Sequence, residues 1–411
     1  MSAVPSARPR PLHFAAFATN ATGPTIRGTR RQIPARQSDF DDLERWVRLA
    51  RTLERGRFDA IFLPDDVAHH ATGRRDEHRS FEAGFQASGR DPSVLAGAIA
   101  YVTDHLGIAF TASTRCEHPS GFARRISALD HASNGRIAWN IPADDPPSPW
   151  AAEYVDVTYK LWEGSWDDDA LRQYGRAGSQ ARDGKVHRIN HRGPRYTVEG
   201  PHLASPTPQR TPLLFHADAS DDGRAFAARN AEAVFIRSPG PAAVAGDIAD
   251  IRSRAASHGR RPEDIKFFQS LHVVTGGTEA EANRKAAGLD ERTADAAWLS
   301  LHTAGGRIAG TPEQIADELA RWQDAGVDGI NLVNAGDPAP YEEFVDHVAP
   351  VLRDRGLMQG EYADGTLRHK LFGRGDRLPK RHPAARYRGA FTPQHAPGAD
   401  EAEFSGLRAR S

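Results

Sequence analysis

A parallel α/β barrel of the TIM (β/α)8 type is the architecture this sequence predicts, on three observations. Continuous apolar runs of strand length alternate with stretches of helical spacing along most of the chain. Such runs suit strands buried on both faces of a parallel sheet. About eight of them can be counted, which favours a closed barrel over an open sheet. The 411 residues, 39% of them hydrophobic, suffice for one large core. The expected division is a tail at 1–11, a barrel domain at 12–371 and a C-terminal extension at 372–411.

The first strand is expected at 12–18, before a Gly/Thr/Arg-rich loop. Helical spacing follows at 41–55, where Leu43, Trp46, Val47, Leu49, Ala50 and Leu53 share a face. Asp39 and Asp41 are its expected capping or first-turn residues, and Gly56 its stop. Further strands are expected at 58–63, 106–111, 136–141, 213–217, 233–236, 265–274 and 329–333. Helices are expected at 92–104, 121–132, 151–162, 223–231, 241–258, 311–325 and 341–355. Pro201, Pro206 and Pro208 break the pattern at 197–211, which reads as a hairpin-like excursion.

Composition excludes several classes. Lys+Arg number 53 against 54 Asp+Glu, so nothing favours nucleic acid or an anionic membrane as partner. Cys116 is the single cysteine, which rules out an internal disulfide and argues against a thiolate zinc site. No apolar run approaches the roughly 18 residues of a membrane span, and the N-terminus lacks an apolar signal-peptide core. A cytoplasmic protein is expected.

In such a barrel the chemistry sits at the C-terminal ends of the strands. The residues there are Asp65 and Asp66, then 111–114, then Asn140, then 218–220, then Asn334. The set is polar yet poor in bases and nucleophiles. No Ser-His-Asp order, HExxH, P-loop or GxGxxG accompanies it. That shortage implies a cofactor that supplies the reactivity. The segment 216–224 reads as strand, turn and helix start, where exposed N–H groups and the Ser220 hydroxyl suit a phosphate. Ser220 also reads as a plain helix cap, and Asp221 and Asp222 oppose an anion.

The wording of several segments resembles a known family. LARTLERGRFDAIFLPD (49–65), LGIAFTAST with FARRISALDHASNGRIAWN (106–140), SPTPQRTPLLFHADAS, GTPEQIADELARWQDAGVDGINL and EYADGTLRHKLFG look like the bacterial luciferase-like flavin monooxygenases of the nitrilotriacetate, EDTA and dibenzothiophene-sulfone type. The resemblance spans residues 12–390 and implies a luciferase-like barrel. It implies reduced FMN (FMNH2) supplied by a separate NAD(P)H:flavin reductase, with O2 as co-substrate. One oxygen atom would pass to a small organic substrate through a flavin C4a-(hydro)peroxide. A homodimer is likewise implied. Residue by residue, Asp65 and Thr111 match flavin-contacting positions and Ser220 the phosphate-holding serine. Asn140, beside the ring, joins Thr111 as a catalytic candidate. No metal is expected.

Three departures stand out. Asp144 and Ser148 occupy positions where the family has a flavin-contacting His and Tyr. The passage 280–310 lacks the family's long insertion. Asp218 stands where Gly is usual, with Arg224 as its candidate partner. They sustain two alternatives: a degenerate homologue with weak or no flavin binding that acts as a partner protein, and a deazaflavin enzyme. His187 and His191 have a metal-like spacing in a loop-like context. His69 and His70 follow the second strand. Cys116 reads as a packed thiol near basic neighbours.

Overall fold

The computed structural model describes residues 10–18, 42–65, 91–142, 149–173, 179–293, 306–334 and 338–392. Eight parallel strands close into a barrel: β1 (His13–Phe17), β2 (Ala60–Leu63), β3 (Gly107–Thr111), β4 (Ile137–Ile141), β5 (Leu213–His216), β6 (Ala233–Ile236), β7 (Lys266–Thr275) and, closing it, β9 (Gly329–Val333). Closure is made by β1 on β9, Phe17 lying opposite Val333. Each of these strands falls on one of the apolar runs of the sequence. A ninth strand, β8 (Arg307–Gly310), extends the sheet by pairing with the far half of β7, His272 opposite Arg307. Its polar-edged RIAG sequence does not mark it as a strand.

The helices form the outer layer. They are α1 (Leu43–Arg55), α2 (Pro92–Val102), α3 (Pro119–Ala132), α4 (Pro149–Tyr159), α5 (Asp221–Asn230), α6 (Pro241–Ser257), α7 (Glu279–Thr293), α8 (Pro312–Asp324), α9 (Ala339–Glu343), α10 (Ala349–Asp354) and α11 (Leu367–Phe372). The cap of α1 is Asp42, whose Oδ1 accepts the Glu44 N–H at 2.9 Å, not the expected Asp39 or Asp41, which lie outside the described residues. Gly56 ends α1 for want of space: a Cβ there would meet Val345 Cγ2 at 2.4 Å. Helix α7 is absent from the helices expected from sequence, because its residues are polar on most sides. The excursion after α4 contains two hairpins, Leu171–Gln173 with Ser179–Ala181 and His191–Arg192 with Thr197–Val198. The second ends where the expected excursion begins, and Pro201, Pro206 and Pro208 lie in the irregular chain that follows.

Period-two alternation divides each strand between two cores. Outward residues pack under the helices, where Trp139 meets Phe122 at 4.6 Å between ring centroids and Trp162 at 6.2 Å. Inward residues form a separate cluster that includes Ala15, Phe17, Phe62, Ala109, Ala138, Phe215, Phe235 and Phe268. Each fully buried aromatic ring there contributes roughly 1.5–3 kcal/mol. Leu367, Leu371 and Phe372 belong to this inner cluster, so α11 plugs the barrel floor. Leu367 lies under Gly107, where a Cβ would come within 2.5 Å of its Cδ1. The chain beyond Phe372 stays on the barrel: Arg388 pairs with Glu163 at 2.6 Å, and His382 Nε2 meets the Asn230 carbonyl at 2.9 Å.

Candidate active site

Asp65, Thr111, Asn140 and Ser220 follow or end β2, β3, β4 and β5, four consecutive strands. They line one arc of the barrel's C-terminal rim. Thr111 lies opposite Asn140 in the register, and the Asn140 Nδ2 donates to Thr111 Oγ1 at 3.0 Å. Both side chains share the inward face with Ala109 and Ala138. Asn140 is buried, and its Oδ1 makes no hydrogen bond among the described residues. A buried amide oxygen left in that state costs free energy unless something donates to it. Trp139, facing outward, fixes this corner by donating its indole N–H to the Ala112 carbonyl at 3.0 Å.

The opposite wall carries a second pair that the sequence reading missed. Asn331 of β9 donates from Nδ2 to Ser270 Oγ of β7 at 3.3 Å, and its Oδ1 also lacks a hydrogen bond among the described residues. Alternate barrel strands supply each interior layer, with one residue of stagger per strand. Counted through the paired registers, Asn140 and Asn331 fall in one layer with Phe62 and Phe235. The two phenyl rings meet at 4.8 Å, and the two asparagines face one another from opposite walls. Polar residues at inward positions of otherwise apolar strands were the available signal.

The last member of the arc stands apart from this pair. Ser220 caps α5, its Oγ accepting the Gly223 N–H at 3.0 Å. Its own hydroxyl and N–H both donate to Asp218, at 2.6 and 2.9 Å. Arg224, the expected partner of Asp218, instead lies 3.6 Å from Asp247 and 3.5 Å from Asp250 of α6, a shift of allegiance that leaves Asp218 with Ser220. Just before this turn, His216 gives Nδ1 to the Ile141 carbonyl at 2.8 Å, tying β5 to β4, and burial lowers its basicity.

The other candidates find structural partners. His187 Nε2 meets Asp167 at 3.0 Å, and His191 bridges Glu153 at 3.2 Å and Lys160 at 2.9 Å. No group of three metal-ligating side chains occurs among the described residues. Cys116 is exposed, contrary to the packed thiol expected, because it lies in the turn after β3 and outside the cores. Asp66, His69, His70, Asp144 and Ser148 lie outside the described residues, as does 294–305 of the shortened passage. A groove of about 710 Å³ between His131, Asp167, Arg210 and Arg377 lies beside the opposite, N-terminal end of the strands. No described helix is long and apolar enough to cross a membrane.

A closed parallel barrel with polar pairs at its C-terminal rim and no nucleophile–base pair among them defines a cofactor-using barrel enzyme. The luciferase-like monooxygenase model matches residues 12–329, and the chain belongs to this family of flavin-dependent enzymes. It is 37% identical to the long-chain alkane monooxygenase of Geobacillus thermodenitrificans, over 92% of this chain and 98% of that protein. The crystal structure of a long-chain alkane monooxygenase superposes with a TM-score of 0.83, covering 92% and 100% of the two chains at 36% identity. The dimethyl-sulfide monooxygenase of Hyphomicrobium sulfonivorans is 35% identical over 89% of this chain and 91% of its own. A riboflavin lyase crystallised with modified FMN and riboflavin superposes with a TM-score of 0.79, at 30% identity and 92% and 100% coverage.

Proposed function

We propose that this chain is the oxygenase of a two-component system, taking reduced FMN from a separate NAD(P)H:flavin reductase and placing one atom of O2 into a small organic substrate. The observation that carries this reading is the Thr111–Asn140 pair, inward-facing and buried, with an amide oxygen awaiting a donor. A flavin ring carries N–H donors and carbonyl acceptors, so the pair suits its polar edge. Asp65 stands on the flank of the same arc. When bound, the reduced flavin supplies the activation of O2, at its C4a position.

The chain's own contribution is positional. Thr111 and Asn140 hold the ring edge and orient it. Phe17, Phe62, Phe215, Phe235 and Phe268 form a dry floor that keeps water from beneath. A reductase partner agrees with the absence of a GxGxxG fingerprint from the strand ends. The homodimer, the cytoplasmic location and the division at 11/12 and 371/372 belong to this same proposal. The relatives' names span an alkane and a sulfide, so the substrate class stays open between hydroxylation and C–N or C–S cleavage.

The test is an anaerobic titration with reduced FMN, with reduced riboflavin as phosphate-free control, followed by admission of O2 in a stopped-flow spectrometer. Saturable binding, and reoxidation with kinetics distinct from free flavin, is the expected result. Absence of binding, or reoxidation at the rate of free flavin, returns the chain to the non-catalytic homologue.

A further inference from the structure

The two ends of the candidate flavin site differ in what they offer. At the ring end, Asn140 Oδ1 is buried and unengaged. At the far end, the first turn of α5 is already engaged by the chain itself. Asp218 accepts the Ser220 hydroxyl at 2.6 Å and the Ser220 N–H at 2.9 Å. The Gly223 N–H goes to Ser220 Oγ at 3.0 Å, and the Arg224 N–H to the Ser220 carbonyl at 2.9 Å. The Asp218 carboxylate lies flat over Gly223, where a Cβ would come within 2.2 Å of both its Cγ and its Oδ2. That is the space in which an anion would meet the helix N-terminus.

Charge reinforces the obstruction. Asp221 and Asp222 occupy the same turn. The nearby guanidinium groups are committed to carboxylates: Arg224 to Asp247 and Asp250, and Arg254 to Asp221 at 2.7 Å and Asp250 at 3.0 Å. A phosphate dianion entering this corner would meet an ionised carboxylate at short range and displace its hydrogen bonds. A terminal hydroxyl would instead donate to that carboxylate, a charge-assisted hydrogen bond. The corner therefore does not fit a phosphate and does fit a neutral polyol end.

We propose that Asp218 is a specificity-determining residue that makes this chain select its flavin by the ring and against the terminal phosphate, so that riboflavin-type flavin binds at least as well as FMN. The inference rests on the flavin reading proposed above. It separates the family's cofactor chemistry, retained at the ring end, from the phosphate anchor, replaced here by an internal carboxylate.

The test is calorimetric titration, under anaerobic conditions, of the full-length protein with dithionite-reduced riboflavin and reduced FMN. Wild type is compared with Asp218→Asn, which keeps an oxygen for Ser220, and with Asp218→Gly, which opens the space. Thermal melts identify any variant that has not folded, and Asp218→Asn carries the comparison if Asp218→Gly fails. Wild type is expected to bind riboflavin as tightly as FMN or more so. Both variants are expected to tighten FMN roughly tenfold and to weaken riboflavin roughly threefold, the scale of a single charge-assisted hydrogen bond. A wild-type preference for FMN of about tenfold or more, or variants that leave the order unchanged, overturns the role of Asp218 and leaves the oxygenase reading intact. Binding of neither flavin by wild type or variants overturns both.

Discussion

The two ends of the barrel treat their polar groups in opposite ways. At the N-terminal floor the buried charges are well supplied with partners. Arg368 gives Nε and Nη2 to Glu232 at 2.7 and 2.8 Å and directs its remaining N–H groups to the carbonyls of Gln209, Thr211, Pro212 and Asp376. Glu232 also accepts the Leu214 N–H at 3.1 Å. Arg136 donates to four carbonyls and to the Thr103 hydroxyl, all within 2.9 Å. At the C-terminal rim, Asn140 and Asn331 each keep one buried amide oxygen without a donor. The floor uses its hydrogen bonds to hold the fold, whereas the rim keeps acceptors open for a guest.

The largest test of this contrast removes one charge from the floor. Glu232→Gln leaves Arg368 buried opposite a neutral amide and is expected to cost about 3–5 kcal/mol in urea unfolding. Flavin affinity of the molecules that remain folded should be unchanged, and a matching loss of affinity would erase the distinction between the two ends. At the rim, Asn140→Ala is expected to reverse the pattern. Stability falls by about 1 kcal/mol, the worth of one neutral hydrogen bond, while reduced-flavin affinity falls roughly tenfold. Asn331→Ala on the opposite wall refines the reading. A smaller affinity loss, about threefold, is expected if the ring edge lies on the Asn140 side, and an equal loss would centre it between the walls.

Acid should act on the floor side before the rim. Burial drives the His202 imidazole down to about 4 and that of His382 to about 3, below their unfolded values. The unfolded chain then binds more protons, so stability present above about pH 6.5 declines as pH falls toward these values. Asp264 follows. Its burial alone would raise it, but hydrogen bonds from Arg381, the Arg261 N–H and Arg374 prevail and hold it at about 2. Its contribution is present above about pH 4 and disappears as pH falls through 2. Urea midpoints taken from pH 7 to pH 3 check the order, and His202→Gln should flatten the first part of the decline.

The sequence made the frame legible and the contrast only partly so. All eight barrel strands stood out because a parallel strand buried on both faces writes itself as a short apolar run. Strand β8 did not, since it pairs only along one side of the sheet, on the far half of β7. Thr111, Asn140 and Ser220 were recognisable as polar residues at strand ends and through family wording. Asn331 was not, because GINLV reads as a strand with one odd residue until register turns that residue inward. The floor was invisible for a different reason: Arg368 and Glu232 lie 136 positions apart, and nothing local to either signals the other. Asp218 was legible as an intruder, but its pairing was not. Its expected partner Arg224 faces α6, a direction set by tertiary packing alone.

Helix α11 has a consequence for how such a barrel is made. Its residues leave the ribosome after every strand of the sheet, yet they supply the inside of the floor and the only cation paired with Glu232 among the described residues. Until they arrive, a nascent barrel carries a buried carboxylate without its counter-ion and an apolar cavity open to water. Synthesis interrupted before Arg368 thus yields a chain with every strand and no stable floor, so the fold itself distinguishes a finished translation product from an unfinished one.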